Sequence, residues 1–384
     1  MQYSVDNLVR LAKRANNTIR PYLYVNPLQG KHIPTRPDDV MSMCRALAQT
    51  INTAYPDERL YVIGFAETAT GIAAAISHFL NNVIYYQNTT REYQKDEDYI
   101  FFTESHSHAT DQTLRAAKVG ECLRAIDRIV FIDDEITTGN TIYKLIKAIK
   151  DRYSLADLNC SIVSILNSVT KERMDLLRKE NIDFLYLSKL PYEYKIESIL
   201  DIEYDKSRDV VVDIKSIATA DELEFISHVN VRNVSEFKKY DEENRKFVDF
   251  VGKTMHKGHY ADVLVLGTEE FMYPAFCLAQ YLYDNNMAQE VRTHASTRSP
   301  IIVSGRDGYP LFSRYCIRSP YDSLRTTFVY NLRKYDKVII VSDALRQNDE
   351  LSDIIKAVKD VGNEDITIIR WTYNQQVKGK AYEK

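Results

Sequence analysis

The chain lacks the sequence features of secreted, membrane-spanning and nucleic-acid-binding proteins. Its five cysteines are scattered singly over 384 residues and form no Cys-X-X-Cys pair, which favours reduced thiols and a cytoplasmic location. No apolar run approaches the roughly 18 residues that span a bilayer, and the segment after Met1 has no apolar signal core. The net charge of −4 gives no basic excess for a nucleic-acid surface. We therefore expect a protein without a membrane or nucleic-acid partner.

The composition is that of a globular α/β protein. Hydrophobic residues make up 45% and charged residues 27% of the chain, and its length predicts two or three domains. Strands and helices alternate in the first half, which predicts a mostly parallel sheet with helices on both faces. Helices are predicted over 40–54, 70–80 and 111–126, and strands over 60–66, 83–86, 99–102, 161–166 and 184–187.

The most informative stretch is RIVFIDDEITTGNT at 128–141. A short apolar strand meets two adjacent acids, Asp133 and Asp134, and a Thr/Gly loop then opens an amphipathic helix. Hydroxyls and free N–H groups at a helix start suit a phosphate, whereas carboxylates at a strand end suit ribose hydroxyls. The pattern predicts a sugar-phosphate site. An acidic helix cap is the alternative, but a cap needs neither paired acids nor three threonines around one glycine.

Two further segments are candidates for the same site. The turn GFAETAT at 64–70 combines small residues with a helix start and offers N–H groups to pyrophosphate. Its candidate residues are Gly64, Ala66, Glu67 and Thr68. A plain helix cap is the alternative. Arg91 follows the strand predicted at 83–86 and is a candidate for pyrophosphate binding or for a surface salt bridge.

Two polar segments are candidates for a lid or for the acceptor side of the site. ESHSHATDQT at 104–113 predicts a mobile lid that excludes water, with Glu104, His106 and His108 as its candidate residues. A metal site is the alternative there, but two histidines at i and i+2 in a loop lack the spacing of a zinc site. Lys31 and His32 lie in VNPLQGKHIPTRP, which predicts either a hood over an acceptor or a surface turn.

The second half of the chain repeats three segments of the first in the same order. YVIGFAETATGIAAAISHFLNN at 61–82 parallels VLVLGTEEFMYPAFCLAQYLYDN at 263–285, so that Gly64 matches Gly267 and Glu67 matches Glu270. NTTRE at 88–92 parallels STRSP at 296–300, and DRIVFIDD at 127–134 parallels DKVIIVSD at 336–343. We infer a diverged copy of the same Rossmann-like unit. The copy lacks a Thr-Thr-Gly loop after Asp343. Glu270, Arg298 and Asp343 are either a second ligand site or structural residues of the repeated fold.

These segments together resemble a known family. The stretch DDEITTGNT at 133–141 resembles the signature of type I phosphoribosyltransferases, which bind 5-phosphoribosyl 1-diphosphate (PRPP). The combination with NPLQGKHIP at 26–34 and Thr-Arg-Ser-Pro at 297–300 is similar to the subgroup associated with tellurite resistance, a bacterial stress response. The resemblance implies a Rossmann-like phosphoribosyltransferase domain at 1–200, a linker or insertion at 201–258, and a Rossmann-like TRSP domain at 259–384.

The resemblance also implies an activity and roles for the residues. It implies Mg²⁺-dependent transfer of 5-phosphoribose from PRPP to a base-like acceptor, in the synthesis of a nucleoside-like metabolite. Asp133 and Asp134 would bind the ribose hydroxyls and the metal, and Arg91 the pyrophosphate. The loop for the 5′-phosphate would consist of Thr137, Thr138, Gly139, Asn140 and Thr141. Enzymes for 6-oxopurines carry an acid at the position of Thr137, so hypoxanthine and guanine are disfavoured acceptors.

Two other functions stay open from the sequence. The chain either binds PRPP or a nucleotide as a non-catalytic sensor, or acts as a lyase or hydrolase on a nucleotide made elsewhere. Release of pyrophosphate in the presence of an acceptor distinguishes the transferase from both. A homodimer, or a partner protein that binds the C-terminal domain, is a further expectation that the sequence does not decide.

Overall fold

The computed structural model describes residues 3–15, 20–95, 97–102, 112–191, 194, 196–213, 216–255, 260–346 and 349–374. The chain divides into two compact units that alternate along the sequence. Unit 1 comprises Met1–Val5, Met41–Tyr192 and Val229–Glu243, and unit 2 comprises Asp6–Val40, Glu193–His228 and Asn244–Lys384.

Strands and helices alternate along most of the described chain. The strands are β1 (Arg10–Lys13), β2 (Tyr22–Val25), β3 (Leu60–Gly64), β4 (Val83–Asn88), β5 (Tyr99–Phe101), β6 (Thr113–Arg115), β7 (Arg128–Ile136), β8 (Asn159–Asn167), β9 (Ile182–Lys189), β10 (Asp209–Val211), β11 (Asp221–Ser227), β12 (Ser235–Glu236), β13 (Tyr260–Gly267), β14 (Ala288–Ala295), β15 (Arg314–Arg318), β16 (Thr326–Tyr330), β17 (Lys337–Ser342) and β18 (Ile366–Tyr373). The α-helices are α1 (Val5–Leu8), α2 (Pro37–Ala54), α3 (Thr70–His78), α4 (Val119–Cys122), α5 (Asn140–Tyr153), α6 (Lys171–Arg178), α7 (Glu197–Leu200), α8 (Phe237–Gly252), α9 (Tyr273–Asp284) and α10 (Ser352–Asp360). In the described part of the chain, no helix combines the length and the apolar character that crossing a membrane requires.

Unit 1 is built on a six-stranded sheet in the order β12-β4-β3-β7-β8-β9. Its strands are parallel except β12, which pairs with β4 in the antiparallel direction. All five residues of β3 and the first five of β7 are buried, as expected for continuous apolar strands covered on both faces. The chain leaves β3 toward β4 and leaves β7 toward β8. The two connections therefore diverge, which creates a crevice at the carboxyl ends of β3 and β7.

Unit 2 repeats this arrangement. Its five-stranded sheet has the order β11-β18-β17-β13-β14, and all of its strands are parallel. The run β14-β13-β17-β18 corresponds to β4-β3-β7-β8 of unit 1. Gly64 pairs with Ile132 at the end of β3, and Gly267 pairs with Val341 at the end of β13. The predicted fold class, two Rossmann-like α/β domains of which the second is a diverged copy, is confirmed.

A β-hairpin beside the strand ends is also repeated. In unit 1 the β5–β6 hairpin is joined to the sheet by an antiparallel bridge between Thr90 and Thr113. In unit 2 the β15–β16 hairpin is joined in the same way, by a bridge between Thr297 and Phe328. The equivalence of the two units therefore extends beyond the sheet, to the bridged segments that follow β4 in unit 1 and β14 in unit 2.

Most predicted elements form with somewhat different limits, but the helix predicted over 111–126 is wrong. Residues 113–115 instead form β6, which pairs with β5, and only the short α4 is helical. The apolar spacing that indicated a helix arises because Leu114 packs in the hairpin while Val119 and Cys122 pack from a separate turn. Lys118, which precedes α4, has a φ of 63°, so a continuous helix is interrupted at this point.

The compact units do not follow the predicted domain boundaries. Residues 201–258, expected as a linker, contribute β11 to the sheet of unit 2 and β12 to that of unit 1. The segment Asp6–Val40 belongs to unit 2, where Thr35 forms an antiparallel bridge with Thr293. Strands β11 and β12 pair with strands that are far away in sequence, and such pairing leaves no signal in the local composition. The polar composition of 201–258 therefore predicts a linker.

Close packing of helix α9 on β13 requires glycine at position 267. A Cβ added at Gly267 would lie 2.7 Å from the carbonyl oxygen of Phe271 and 3.3 Å from the Cα of Met272, and neither backbone atom has room to move. We predict that Gly267→Ala lowers the free energy of unfolding by about 1–3 kcal/mol through overpacking. Urea unfolding monitored by the fluorescence of Trp371, the single tryptophan and a residue of unit 2, measures this change.

Gly308→Asn is the matched control in the same unit. No heavy atom lies within 4 Å of a Cβ added at Gly308, and asparagine tolerates its φ of 75°. The control should change the free energy of unfolding by less than about 0.5 kcal/mol. Equal effects of the two substitutions would show that the packing of α9 does not require this glycine.

Candidate functional site

The turn after β3 is fixed by hydrogen bonds to both neighbouring strands. The N–H of Phe65 donates to the carbonyl oxygen of Ile132 at 2.9 Å, and the N–H of Ala66 donates to the Oγ1 of Thr89 at 2.8 Å. The peptide bond between Ala66 and Glu67 is cis, and the Glu67 side chain is largely buried. These contacts hold the turn rigidly at the carboxyl end of β3, beside the end of β7.

The two acids of the signature lie at the other side of the crevice and are joined to this turn. The N–H of Asp134 donates to Asp133 Oδ1 at 2.9 Å, and the Oγ1 of Thr68 donates to Asp134 Oδ1 at 2.7 Å. Both carboxylates are half-buried. The structure thus brings Asp133, Asp134 and Thr68 together across the gap between β3 and β7, as the sequence predicts.

The adjacent carboxylates affect each other electrostatically. Burial is the largest cause that raises the pKa of Asp133 well above its usual range, and the neighbouring Asp134 carboxylate raises that pKa further. A second negative charge is therefore costly at this position. A cation beside the pair would relieve the repulsion, so the two acids are a candidate binding site for a metal ion or for a cationic sugar centre.

The loop after β7 presents free donors at the start of α5. Gly139 adopts a φ of 73°, which turns the chain sharply into the helix that begins at Asn140. Within the described part of the chain, no acceptor is bonded to the N–H groups of Gly139, Thr141 or Ile142. Free amides at a helix N-terminus bind anions through their hydrogen bonds and the helix dipole.

The side chains of the loop after β7 differ in solvent exposure and in their hydrogen bonds. Thr138 and Thr141 are exposed and Thr137 is half-buried. The Thr138 Oγ1 accepts from the N–H of Asn140 at 3.3 Å, and the Asn140 Oδ1 accepts from Arg173 Nη2 at 3.3 Å. The threonine hydroxyls therefore accompany the free amides, whereas the Asn140 oxygen is engaged with the start of α6.

Arg91 follows a segment that is held against the end of β3. The N–H of Thr89 donates to the carbonyl oxygen of Gly64 at 2.9 Å, which holds the segment after β4 against the strand end. Arg91 is half-buried. The candidate lid residues Glu104, His106 and His108 lie outside the described residues.

Lys31 and His32 do not lie in the unit that carries the phosphate loop. Both are buried in unit 2, and the Nζ of Lys31 donates to the carbonyl oxygens of Glu269 at 2.8 Å and Ser296 at 3.0 Å. The amine is thus committed to the backbone of the unit 2 turn. The Pro/Gly-rich segment therefore belongs to unit 2, and its role as a hood over an acceptor stays a prediction.

The predicted second-domain residues lie at the equivalent strand ends of unit 2. Arg298 contacts Glu270 at 3.4 Å and Asp343 accepts from the hydroxyl of Tyr321 at 2.7 Å. The strongest partner of Arg298 is a residue that the sequence comparison missed, Glu269, at 2.7 Å. The sequence alignment pairs Glu67 with Glu270, whereas Glu269 aligns with Ala66, which has no charge.

Comparison with known families assigns both parts of the chain. Residues 8–186 match the family described as phosphoribosyl transferase, and residues 233–358 match the family described as the TRSP domain C-terminal to it. The chain carries both domains. The predicted architecture is therefore confirmed, and the crevice at the ends of β3 and β7 lies in the phosphoribosyl transferase domain. Comparison with curated proteins gives no match.

Solved structures of adenine phosphoribosyltransferases are similar to about half of the chain. The Giardia lamblia enzyme with 9-deazaadenine is 11% identical, with 49% of this chain and 97% of that chain covered and a TM-score of 0.34. The Trypanosoma brucei enzyme with AMP, pyrophosphate and ribose-5-phosphate is 15% identical, with 47% and 76% covered and a TM-score of 0.32. The Saccharomyces cerevisiae enzyme is 12% identical, with 48% and 96% covered and a TM-score of 0.33.

The raised pKa of Asp133 yields a stability prediction. A buried carboxyl with a raised pKa stabilises the folded state only while it is protonated, so this stabilisation is lost as the pH rises through the raised value. We predict that Asp133→Asn raises the free energy of unfolding at pH 7 by about 0.5–2 kcal/mol. Its advantage over the wild type should vanish below about pH 4, where the carboxyl is protonated in both states. Urea unfolding between pH 4 and 8 tests this.

Asp127→Asn is the matched control, because Asp127 directly precedes β7, at the end opposite to Asp133. Hydrogen bonds from the Arg59 side chain, and then from its backbone, lower the pKa of Asp127 to about 2. A lowered pKa stabilises the fold above the usual carboxyl range, and this stabilisation is lost as the pH falls toward 2. The control should therefore be less stable than the wild type at pH 7. Destabilisation by both substitutions would contradict the repulsion assigned to Asp133.

Proposed function

We propose that the protein is a Mg²⁺-dependent phosphoribosyltransferase that moves 5-phosphoribose from PRPP to a base-like acceptor and releases pyrophosphate. The observation that carries the proposal is the hydrogen bond between Thr68 and Asp134, at 2.7 Å, which joins the two turns of the crevice. Open α/β sheets bind ligands at this point of divergent connections. The phosphoribosyl transferase family match over 8–186 supports the same reaction class.

The loop after β7 suits the 5′-phosphate of PRPP. Its free amides at Gly139, Thr141 and Ile142 supply donors, and the helix dipole of α5 favours a dianion. The full proposed phosphate loop is Thr137, Thr138, Gly139, Asn140 and Thr141. Exposure of Thr138 and Thr141 keeps their hydroxyls accessible to the phosphate oxygens.

The opposite turn suits the pyrophosphate group. The proposed contacts are Gly64, Ala66, Glu67, Thr68 and Arg91. The Gly64 position is narrow, since an added Cβ would lie 2.5 Å from Asn88 Oδ1 and 2.7 Å from the Cβ of Ala73. A close-packed turn lets a diphosphate approach the backbone, and the guanidinium after the next strand supplies positive charge for it.

The acids suit ribose hydroxyls and a magnesium ion. Among the described residues, no group of three or more His, Cys, Asp or Glu side chains is arranged to hold a metal ion. Mg²⁺ commonly takes one or two carboxylates and completes its shell with water and substrate phosphates. Asp133 and Asp134 fit that donor set, and the repulsion between them favours a cation. When bound, the ion would neutralise charge on the leaving pyrophosphate.

The proposed chemistry needs positioning and electrostatic stabilisation. The bond between C1 of the ribose and the pyrophosphate oxygen breaks, and pyrophosphate leaves with the electron pair. A bond forms between C1 and a nitrogen of the acceptor, which loses its proton to solvent. Asp133 and Asp134 stabilise positive charge on the sugar, and Arg91 stabilises negative charge on pyrophosphate. We place the product among nucleoside-like metabolites of a cytoplasmic stress response, with the acceptor base left open.

Release of pyrophosphate tests the proposal directly. The full chain is incubated with PRPP, Mg²⁺ and each of a panel of purine, pyrimidine and pyridine bases, and pyrophosphate is measured. The proposal requires release that depends on both PRPP and one acceptor. PRPP binding without release for any acceptor would favour a sensor. Release of a free base from a nucleotide without PRPP would favour a hydrolase.

We predict that Asp134→Asn lowers kcat for pyrophosphate release by at least about 100-fold, because the neutral amide cannot stabilise a cationic sugar centre or bind the metal ion. Asparagine retains an oxygen that accepts from Thr68, so the turn should stay in place and the melting temperature should not fall. Asp127→Asn, which also removes one charge from a residue beside β7, should retain full kcat. Equal activity of Asp134→Asn and Asp127→Asn would overturn the assignment.

A further inference from the structure

Glu269 is a fully buried acid in the turn that follows β13. Its N–H donates to the Oγ of Ser296 at 3.0 Å, as the N–H of Ala66 donates to Thr89 in unit 1. Its φ is 45°, a left-handed conformation that is uncommon for a side chain other than glycine. Glu269 therefore occupies, in unit 2, the backbone position that Ala66 occupies in unit 1.

Three donors converge on the Glu269 carboxylate. Oε2 accepts from Arg298 Nε at 2.7 Å and lies 3.1 Å from Arg325 Nη2, while Oε1 accepts from the Oγ of Ser319 at 2.5 Å. The side chains of Arg298 and Arg325 are 8% and 16% exposed. Two guanidinium groups and a hydroxyl around one carboxylate form the kind of donor set that also binds phosphate.

The equivalent place in unit 1 carries a methyl group instead of a carboxylate. In unit 1, Arg91 comes directly after the bridged Thr90 in the segment that follows β4. In unit 2, Arg298 comes directly after the bridged Thr297 in the segment that follows β14. In unit 1 this place is the proposed pyrophosphate site. In unit 2 the arginine is retained and the anion is a side chain of the protein itself.

The same carboxylate holds the loop between β15 and β16 against the strand ends. This loop, residues 319–325, carries two of the three donors, Ser319 and Arg325, and the N–H of Ser319 donates to the carbonyl oxygen of Arg325 at 2.8 Å. The Tyr321 hydroxyl donates to Asp343 Oδ1 at 2.7 Å. Both ends and the middle of the loop are thus bonded to residues that follow β13 and β17.

We propose that unit 2 retains an oxyanion-binding pocket of the repeated fold and that Glu269 is its built-in ligand. The Glu269 carboxylate replaces a phosphate-type anion and keeps loop 319–325 closed. Unit 2 in the natural chain consequently binds no phosphate ligand at this place. The inference depends on the geometry of unit 2 and not on the activity proposed for unit 1.

Glu269→Gly converts the pocket into an open site for inorganic phosphate. Glycine adopts a φ of 45° without strain and removes the carboxylate, which leaves the donors Arg298, Arg325 and Ser319 without their central anion. Trp371 reports on the Glu269 turn, because its ring centroid lies 5.9 Å from that of Phe271, a residue of that turn. Thermal unfolding of the full chain, followed by Trp371 fluorescence, is measured in sodium phosphate and in sodium chloride of equal ionic strength.

We predict that Glu269→Gly has a lower melting temperature than the wild type in chloride, and that saturating phosphate raises it by about 3 °C or more relative to chloride. The double variant Glu269→Gly/Arg298→Ala should lose most of this phosphate effect. Any phosphate site in unit 1 is the same in both variants, so the difference between them belongs to unit 2. Glu269→Gln, which still fills the pocket, should be destabilised without responding to phosphate beyond the wild type.

The opposite results would overturn the proposal. One such result is that phosphate raises the melting temperature of Glu269→Gly no more than that of the double variant. The other is that Glu269→Gly melts at the same temperature as the wild type in chloride. If Glu269→Gly does not fold in chloride, the proposal requires phosphate to restore the native Trp371 spectrum in that variant but not in the double variant. If phosphate does not restore the native Trp371 spectrum of Glu269→Gly, the proposal is overturned as well.

Discussion

The hydrogen bond from Thr68 to Asp134 is the contact on which the candidate site depends, because it joins two turns that leave adjacent strands in opposite directions. Divergence of these connections opens the crevice, and the bond fixes its two sides at one spacing. Burial and a like charge then make Asp133 unfavourable as an anion, which favours binding of a cation. The free amides at the start of α5 add a favourable place for an anion beside it. These opposite charge preferences at neighbouring positions suit a substrate that carries phosphate groups at both ends and develops positive charge at its centre.

The two units show how one backbone arrangement supports different chemistry. Both have a glycine at the end of β3 or β13, a hydroxyl that accepts from the turn after it, and a Thr-Arg pair after β4 or β14. In the described part of unit 1, the amides of Gly139, Thr141 and Ile142 at the start of α5 have no acceptor. Unit 2 places Glu269 among arginines, and near its lost phosphate loop Arg370 is paired with Glu350 and Glu222. In unit 2 these described arginines are therefore paired with acidic side chains of the protein itself.

The sequence predicts those parts of the fold that depend on local pattern. The strand and loop at 128–141 follow from a continuous apolar run, paired acids and a single glycine, and the structure has each of them in the expected order. Residues 113–122 have apolar residues at helical spacing, but pairing of β6 with β5 overrides that preference. The positions of Lys31 and of β11 depend on contacts more than 140 residues away in sequence, with Glu269 and with β18, so no local pattern indicates them. Glu269 was missed for a related reason, since its role is set by Arg325 and Ser319 on a hairpin that the sequence comparison did not align.

Hydrogen–deuterium exchange of the full chain with substrate fragments tests the central claim most directly. Amides without acceptors at the start of a helix exchange quickly unless a ligand covers them. Ribose 5-phosphate should slow exchange in the peptide that contains residues 139–142, inorganic pyrophosphate should slow exchange in the peptide that contains 65–68, and PRPP with Mg²⁺ should slow both. Protection of neither segment by PRPP, or protection confined to unit 2, would contradict the assignment of the site to the crevice between β3 and β7.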